Sequence, residues 1–536
     1  YGQTNLKGAV RIKEHPQLFG TYITNFSCGP DSFIIGYFRD ILGRKPSLTL
    51  ELDNHTADAG LETRIEAFLD IVARYRKVQA DECAEKSEIY TPARTRMEEN
   101  KLSIITSEGE ELSIKDPRVR VVMASMGQYA TGAMDAVLSG MGVHPVALPQ
   151  MGEDELKLGR GNTMCKECLP LLLTTGALVK YLRNDRPDDE VTVYFMPTAE
   201  GPCRFGQYKD YMTDFVKKRR IKNVAFLSPS SRDSYAGLGS EFIKAGWRGV
   251  LVADIFEDIH HAMLINAVDR DSAFEELARI WEYVLEKMKG SESDLYSGLE
   301  KAAGELAEIP MKGPVDQLPH ALIVGEIYVR KEGLSRRWLP ERLAEQGIVS
   351  HVAPVHEWLY YLDWLIANRL SDKVHTTFER MKNALKVAFM RRIEKKIKAV
   401  MAQSGWYISR IVDIDHVIQA GGHYISPQLT GEAVLTVGGP LAEVGNEFCG
   451  AIAIGPFGCM PNRISESILN LKMDRDNIIK FRTDDLTDKV THEVGNLPFL
   501  AIESDGSPFP QLIEARLETF VVQALRLHDV MQKHKG

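Results

Sequence analysis

Residues 196–208 read Met196-Pro197-Thr198-Ala199-Glu200-Gly201-Pro202-Cys203-Arg204-Phe205-Gly206-Gln207-Tyr208. The apolar run Val191 to Met196 that leads into them has the length and composition of a buried strand. Pro197 breaks that strand and Gly201-Pro202 turn the chain. Cys203 then arrives at the start of a helix that runs on through Tyr208 and Phe215. A thiol so placed faces free backbone N–H groups and the positive end of a helix dipole, which favour its thiolate form. Strand, glycine or proline turn and thiol recur together elsewhere in the chain.

Upstream of this stretch, Phe19 to Phe26 reads as a strand and Cys28-Gly29-Pro30-Asp31 as a turn. Ser32 to Leu42 reads as a helix closed by Gly43, Ser47 to Leu52 as a second strand, and Gly60 to Lys77 as a helix. Residues 80–117 are charged and weakly patterned, with a hairpin at Leu102–Ile105 and Leu112–Ile114. Alternation resumes with Val119 to Ser125 as a strand, Tyr129 to Leu138 as a helix and His144 to Leu148 as a strand. The glycine-rich run Gly159 to Met164 reads as a loop entering Cys165-Lys166-Glu167-Cys168-Leu169-Pro170, and a helix follows to Leu182.

Downstream, Val224 to Ser228 is a strand and residues 240–310 are mostly helical. Ala321 to Tyr328 is a strand and Phe378 to Met401 a long charged helix. Gly431 to Val444 reads as a helix, and Gly450 to Ile454 as a strand ending at Gly455-Pro456-Phe457-Gly458-Cys459-Met460-Pro461. A helix at Ile464 to Leu471, a strand at Phe499 to Glu503 and a helix from Pro510 to Met531 complete the chain.

Such alternation predicts an α/β protein with parallel sheets. The divisions expected are 1–79 (the end of an α/β domain), 80–117 (a linker or hairpin excursion) and 118–235 (an α/β domain). A helical segment, 236–320, and a C-terminal α/β domain, 321–536, follow. The alternation before 80 and after 118 suggests two copies of one larger unit. Tyr1 in place of Met is read as the mark of a trimmed chain.

At 536 residues the chain exceeds one ordinary core. Hydrophobic content of 44% and charged content of 26% are those of a globular protein. Its net charge of −9 argues against nucleic-acid binding, since such a surface repels phosphates. The basic run at Arg391, Arg392, Lys395, Lys396 and Lys398 has helical spacing and reads as a solvated face. No apolar run approaches the roughly 18 residues needed to span a bilayer, so a cytoplasmic location is expected.

Seven cysteines, an odd number, without a secretion signal do not suggest a disulfide framework. Cys83, flanked by charge, reads as incidental. Cys28, the Cys165–Cys168 pair, Cys203 and Cys459 each sit beside glycine or proline, and turns after parallel strands gather where ligands bind. One Cys-x-x-Cys is too few for a structural zinc, and a redox pair leaves the other turns unexplained. Thiolates from distant segments can instead hold an iron–sulfur cluster, tuned by nearby N–H groups. Cys165-x-x-Cys168 supplies one ligand or two, and Cys449, at a strand start, is read equally as ligand or core residue.

Gly201-Pro202-Cys203-Arg204-Phe205-Gly206-Gln207-Tyr208, Glu167-Cys168-Leu169-Pro170 and Gly455-Pro456-Phe457-Gly458-Cys459-Met460-Pro461 resemble the iron–sulfur subunits of the 2-hydroxyacyl-CoA dehydratase and benzoyl-CoA reductase superfamily. Cys28-Gly29-Pro30-Asp31-Ser32-Phe33, Glu51-Leu52-Asp53-Asn54-His55 and Thr63-Arg64-Ile65-Glu66-Ala67-Phe68 look like the large members identified as acyl-CoA dehydratase activase-related proteins. The resemblance covers most of 19–79 and 118–530. It implies several doubly wound, flavodoxin-like (Rossmann-like) domains with parallel sheets and a helical insertion around a central iron–sulfur cluster.

It further implies an oxygen-sensitive reductase of a small molecule. An ATP-hydrolysing iron–sulfur activator, separate or fused upstream, would feed it low-potential electrons. No Gly-x-x-x-x-Gly-Lys-Ser/Thr loop is present to do that chemistry here. Six candidate ligands, Cys28, Cys165, Cys168, Cys203, Cys449 and Cys459, favour a double-cubane [8Fe-9S] cluster. The alternatives are a [4Fe-4S] radical dehydratase or aryl-CoA reductase acting on an acyl-CoA, and a non-catalytic electron carrier or cluster scaffold. A dimer is expected. Arg204 and Lys166 would offset cluster charge, and Glu200, Gln207 and His55 are candidates for proton delivery.

Overall fold

The computed structural model describes residues 1–25, 27, 29–52, 58–78, 90–98, 101–164, 166–199, 203–230, 239–371 and 374–535. Strands β1 (Gly20–Thr24) and β2 (Ser47–Glu51) pair in parallel at the N-terminus, with the helix Asp31–Leu42 between them. Asp31 fixes the entry of that helix: Tyr22 and Thr24 of β1 donate to its carboxylate at 2.7 and 2.6 Å.

The hairpin expected at Leu102–Ile105 and Leu112–Ile114 is present, and a third strand extends it. Strands β3 (Arg94–Glu98), β4 (Lys101–Ile105) and β5 (Glu111–Ser113) form an antiparallel sheet. Ala93, Ile104 and Leu112 pack it against the next sheet. The third strand, Arg94–Glu98, is hidden in the sequence because it is charged and lacks an apolar face.

That next sheet is parallel and contains β6 (Val119–Met123), β7 (Pro145–Ala147), β8 (Val191–Phe195) and β9 (Val224–Leu227), in spatial order β7-β6-β8-β9. Val121, Val193 and Ala225 pack on the antiparallel side, whereas Val122, Tyr194 and Phe226 pack on the helices Leu169–Asn184 and Tyr208–Lys218. Burial on both faces explains the near-continuous apolar strands.

A second parallel sheet repeats the order. Strands β10 (His320–Gly325), β11 (Val349–Val352), β12 (Gly450–Pro456) and β13 (Phe499–Ser504) lie as β11-β10-β12-β13. The duplicated unit is therefore 118–230 and 320–505, and the N-terminal β1–β2 pair is not one of the copies. The likeness extends to the helices. Before the third strand of each sheet stands a crossed helix pair: Glu153–Asn162 with Leu169–Asn184, and Ile414–Gly422 with Ala433–Glu443. Glycines let both pairs touch. A Cβ on Gly176 would lie 1.8 Å from the Glu155 carbonyl, and one on Gly438 2.0 Å from that of Val417. The run predicted as a loop, Gly159 to Met164, is thus largely helix: glycine serves close approach here, not a turn.

The helices Ser240–Asn266, Arg270–Met288, Glu292–Ala307 and Thr377–Ala402 share one continuous core with the second sheet. Lys398, within the basic run of the last of these, is buried and bonded to Glu394 at 2.6 Å, so that run is not wholly a solvated face. Among the described residues no helix is long and apolar enough to cross a membrane.

Candidate functional site at the carboxyl ends of the parallel strands

In a sheet ordered second-first-third-fourth, the chain reverses direction between its first and third strands, leaving a crevice at their carboxyl ends. Cys203 follows the third strand of the first sheet and Cys459 the third strand of the second. Each stands just before a helix: Cys203 before the short 3-10 turn Arg204–Gln207, Cys459 before Met460–Lys472. Cys168 caps the helix entering β8, and Glu432 caps the helix entering β12. Glu326 directly follows β10, and its carboxyl accepts from the Val329 N–H at 2.8 Å.

These five groups share one electrostatic neighbourhood. Cys203 senses Glu432, Cys168 and Glu326, and Cys459 senses Glu326, Glu432 and Cys203. Burial dominates their chemistry. It raises the proton affinity of Cys168, Cys203 and Cys459, and nearby Glu326 adds to this for all three, with Arg204 opposing it at Cys168. The helix-start argument for a thiolate at Cys203 is therefore overturned. A four-residue 3-10 turn separates it from the helix Tyr208–Lys218, and desolvation of the charged form dominates. Burial also lifts Glu326, and with Glu326 beside it Glu432 is raised to about 8. Near neutral pH the junction holds protonated thiols and a protonated acid.

Arg204 ties the junction together. Its guanidinium donates to the Gly458 carbonyl at 3.2 Å, the Lys166 carbonyl at 3.3 Å and the Ser32 hydroxyl at 3.4 Å. Lys166 in turn binds Glu51 at 2.9 Å, and Ser27 donates to the same carboxylate at 2.6 Å. These two bonds hold Glu51 below the ordinary carboxylate range, the Ser27 bond counting most. The carboxyl end of the N-terminal strand pair thus faces the same junction.

Among the described residues no group of three or more His, Cys, Asp or Glu side chains is arranged to hold a metal ion. That finding overturns the central iron–sulfur cluster, whether double-cubane [8Fe-9S] or [4Fe-4S]. With it go the oxygen-sensitive reductase, the radical dehydratase or aryl-CoA reductase, and the electron-carrier readings built on the cluster. The donor chemistry gives the reason. Cys203 interacts electrostatically with both Cys168 and Cys459, and the sulfur of Cys168 is engaged by the Tyr208 hydroxyl at 2.6 Å. Cys449 lies at the opposite end of the second sheet, where its thiol donates to the His320 carbonyl at 3.1 Å. It is a core residue, with burial pushing its thiol up to about 12.

Cys28, Cys165, Cys83, Glu200 and His55 lie outside the described residues. Gln207 ends the 3-10 turn with its residue exposed. Sequence reasoning missed Glu326, Glu432 and Tyr208. The first two read as ordinary helix caps, and only the duplication of the fold marks them. A cavity of about 420 Å³ opens along the edge strand β13, lined by Glu466, Phe499 and Arg516, away from the thiols.

No family model matches the chain, and neither a curated protein nor a solved structure matches it.

Proposed function

We propose that the chain binds a small carbonyl compound at the junction of its two parallel sheets. The observation that carries this is Glu432, a half-buried acid raised to about 8 beside Glu326, Cys203 and Cys459. A protonated acid is a hydrogen-bond donor without charge, and so is a protonated thiol. Such a set suits a neutral acceptor such as a thioester or ketone oxygen. It opposes an anion, because Glu326 and Glu432 would have to stay protonated against it.

The sequence motifs around Cys203 and Cys459, two thiols that each follow the third strand of a parallel sheet, support placing the chain on the scaffold of the 2-hydroxyacyl-CoA dehydratase superfamily. That reading carries over the scaffold and makes an acyl thioester the first ligand to test. It carries over no cluster.

Calorimetric titration with a short-chain acyl-CoA, against coenzyme A and the free acid as controls, tests the proposal. Binding of the thioester is expected, with the free acid silent. Glu432→Gln, which keeps an N–H donor, should retain binding, and Glu432→Ala should weaken it about tenfold, the worth of one hydrogen bond. Equal binding of the free acid, or no effect of Glu432→Ala, overturns the reading.

A further inference from the structure

The second sheet ends at an open edge. Strand β13 has a neighbour on one side only, β12. The Ala451 N–H donates to the Pro498 carbonyl and the Phe457 N–H to the Ser504 carbonyl, each at 3.0 Å. Along a parallel strand, alternate residues turn their backbone groups to the same side. Phe499 and Ala501 therefore direct their N–H and C=O groups outward, where no strand among the described residues meets them.

The first sheet shields its matching edge. The Thr192 N–H donates to the Asn223 carbonyl and the Met196 N–H to the Leu227 carbonyl, so the backbone of Phe226 in β9 faces outward by the same alternation. Its carbonyl is taken by the Thr95 hydroxyl of β3 at 3.0 Å. Among the described residues no strand stands beside β13 in the same way. The cavity of about 420 Å³ lies there instead, as a groove with β13 for its floor. Glu466 of the helix Met460–Lys472 and Arg516 of the helix Gln511–Lys535 both line it. These helices cover opposite faces of the sheet. A Cβ on Gly450 would lie 2.8 Å from the Phe520 ring and one on Gly455 2.7 Å from the Asn462 side chain, and strand positions five apart point to opposite faces. Both helices therefore overhang the edge. Glu466 is engaged by Arg463 at 2.6 Å, whereas Arg516 is exposed and has no ion-pair partner among the described residues.

We infer that this groove docks an extended segment of a partner protein as a fifth strand, bonded to the backbone of Phe499 and Ala501 and turning an acidic side chain to Arg516. The walls choose this occupant. A second copy offering the same edge would drive its own overhanging helices into these, whereas a single extended segment has none. In strand addition the backbone bonds supply affinity and the side-chain contacts supply selectivity. The groove lies toward the amino end of β13, so it is independent of the thiol junction at the carboxyl ends.

The test is amide hydrogen exchange on the intact chain, with and without a synthetic peptide of alternating valine and threonine carrying one central aspartate. The Phe499 and Ala501 amides should exchange at least about tenfold more slowly, saturably, when the peptide is present. The same peptide with lysine for aspartate should bind about tenfold more weakly, the scale of one charge-assisted contact. Arg516→Ala should erase that preference. Ala501→Pro removes an outward N–H that the fold does not use and an edge strand tolerates, and it should abolish protection at Phe499. The peptide comparison on the unaltered protein needs no variant to fold. Unprotected amides at millimolar peptide, equal binding of the two peptides, or edge amides already protected in a dimer of the unaltered protein overturns the inference.

Discussion

Cys168 and Glu432 occupy the same place in two copies of one structural unit: each caps the helix that enters the third strand of its parallel sheet. One position carries a thiol and the other a carboxylic acid. Both act electrostatically on Cys203, so matching positions of the two units carry different chemistry at one junction.

The two half-buried acids raised to about 8, Glu432 and Glu443, give stability a slope on the alkaline side. An unfolded glutamate ionises near 4.5, so between that pH and about 8 the unfolded chain binds fewer protons than the folded one. Stability contributed by Glu432 and Glu443 is intact below 4.5 and falls as pH rises to 8. Glu257 and Glu394 act oppositely. Nearby Lys331 and Arg336 for the first, and His356 and Lys398 for the second, outweigh burial and hold both at about 2. Their contribution is present above 4.5 and is lost as pH falls toward 2. Denaturant titrations should therefore show a stability maximum on the acid side of neutrality. Glu432→Gln should flatten the alkaline limb and raise stability at pH 8 by about 1–3 kcal/mol.

Removing the Arg204 guanidinium unties three segments at once. Arg204→Ala should lower stability by about 1–2 kcal/mol, since its contacts are charge-assisted but partly exposed. Arg204→Lys should recover little of that, because an ammonium cannot span the Gly458, Lys166 and Ser32 acceptors together. Thermal unfolding of the three proteins measures both effects.

Close helix crossing at glycine makes a sharper case. Gly176→Ala would place a methyl 1.8 Å from the Glu155 carbonyl, a contact backbone cannot relieve without parting the helices. A loss of about 3 kcal/mol, or failure to fold, is expected. Gly161→Ala, where a Cβ meets nothing within 4 Å, should be nearly neutral in the same assay.

Buried, protonated thiols should be chemically quiet. Cys168, Cys459 and Cys449 should resist alkylation at pH 7.5 in the folded protein and react once it is unfolded, as mass spectrometry of the labelled peptides would read. Tyr208→Phe removes the partner of Cys168 and should cost about 1 kcal/mol. Cys449→Ala should cost about 1–2 kcal/mol through the core while leaving ligand binding at the junction unchanged.

Much of the architecture was legible in the chain. Strands such as Val191–Phe195 and Gly450–Pro456 are apolar runs bounded by proline and glycine, a local signal that no distant contact needs to complete. Cys203 and the Gly458-Cys459 turn also fall after parallel strands, as the pattern placed them, while Gly201 and Pro202 lie outside the described residues. Less legible were β3, which joins the expected hairpin as a third strand, and the helix Glu153–Asn162, whose glycines imitate a loop.

What the sequence by itself determined was which segments become strand or helix and which turns carry thiols, because those follow from neighbours a few residues apart. The tertiary structure alone decided which turns meet and in what protonation state. Cys449 was separated from Cys459 by the length of one strand, and Glu432, over a hundred positions from Glu326, was brought beside it. Burial then reversed the expected chemistry, since the cost of desolvating a charge depends on everything packed around it. A thiol read as poised to ionise is instead held protonated.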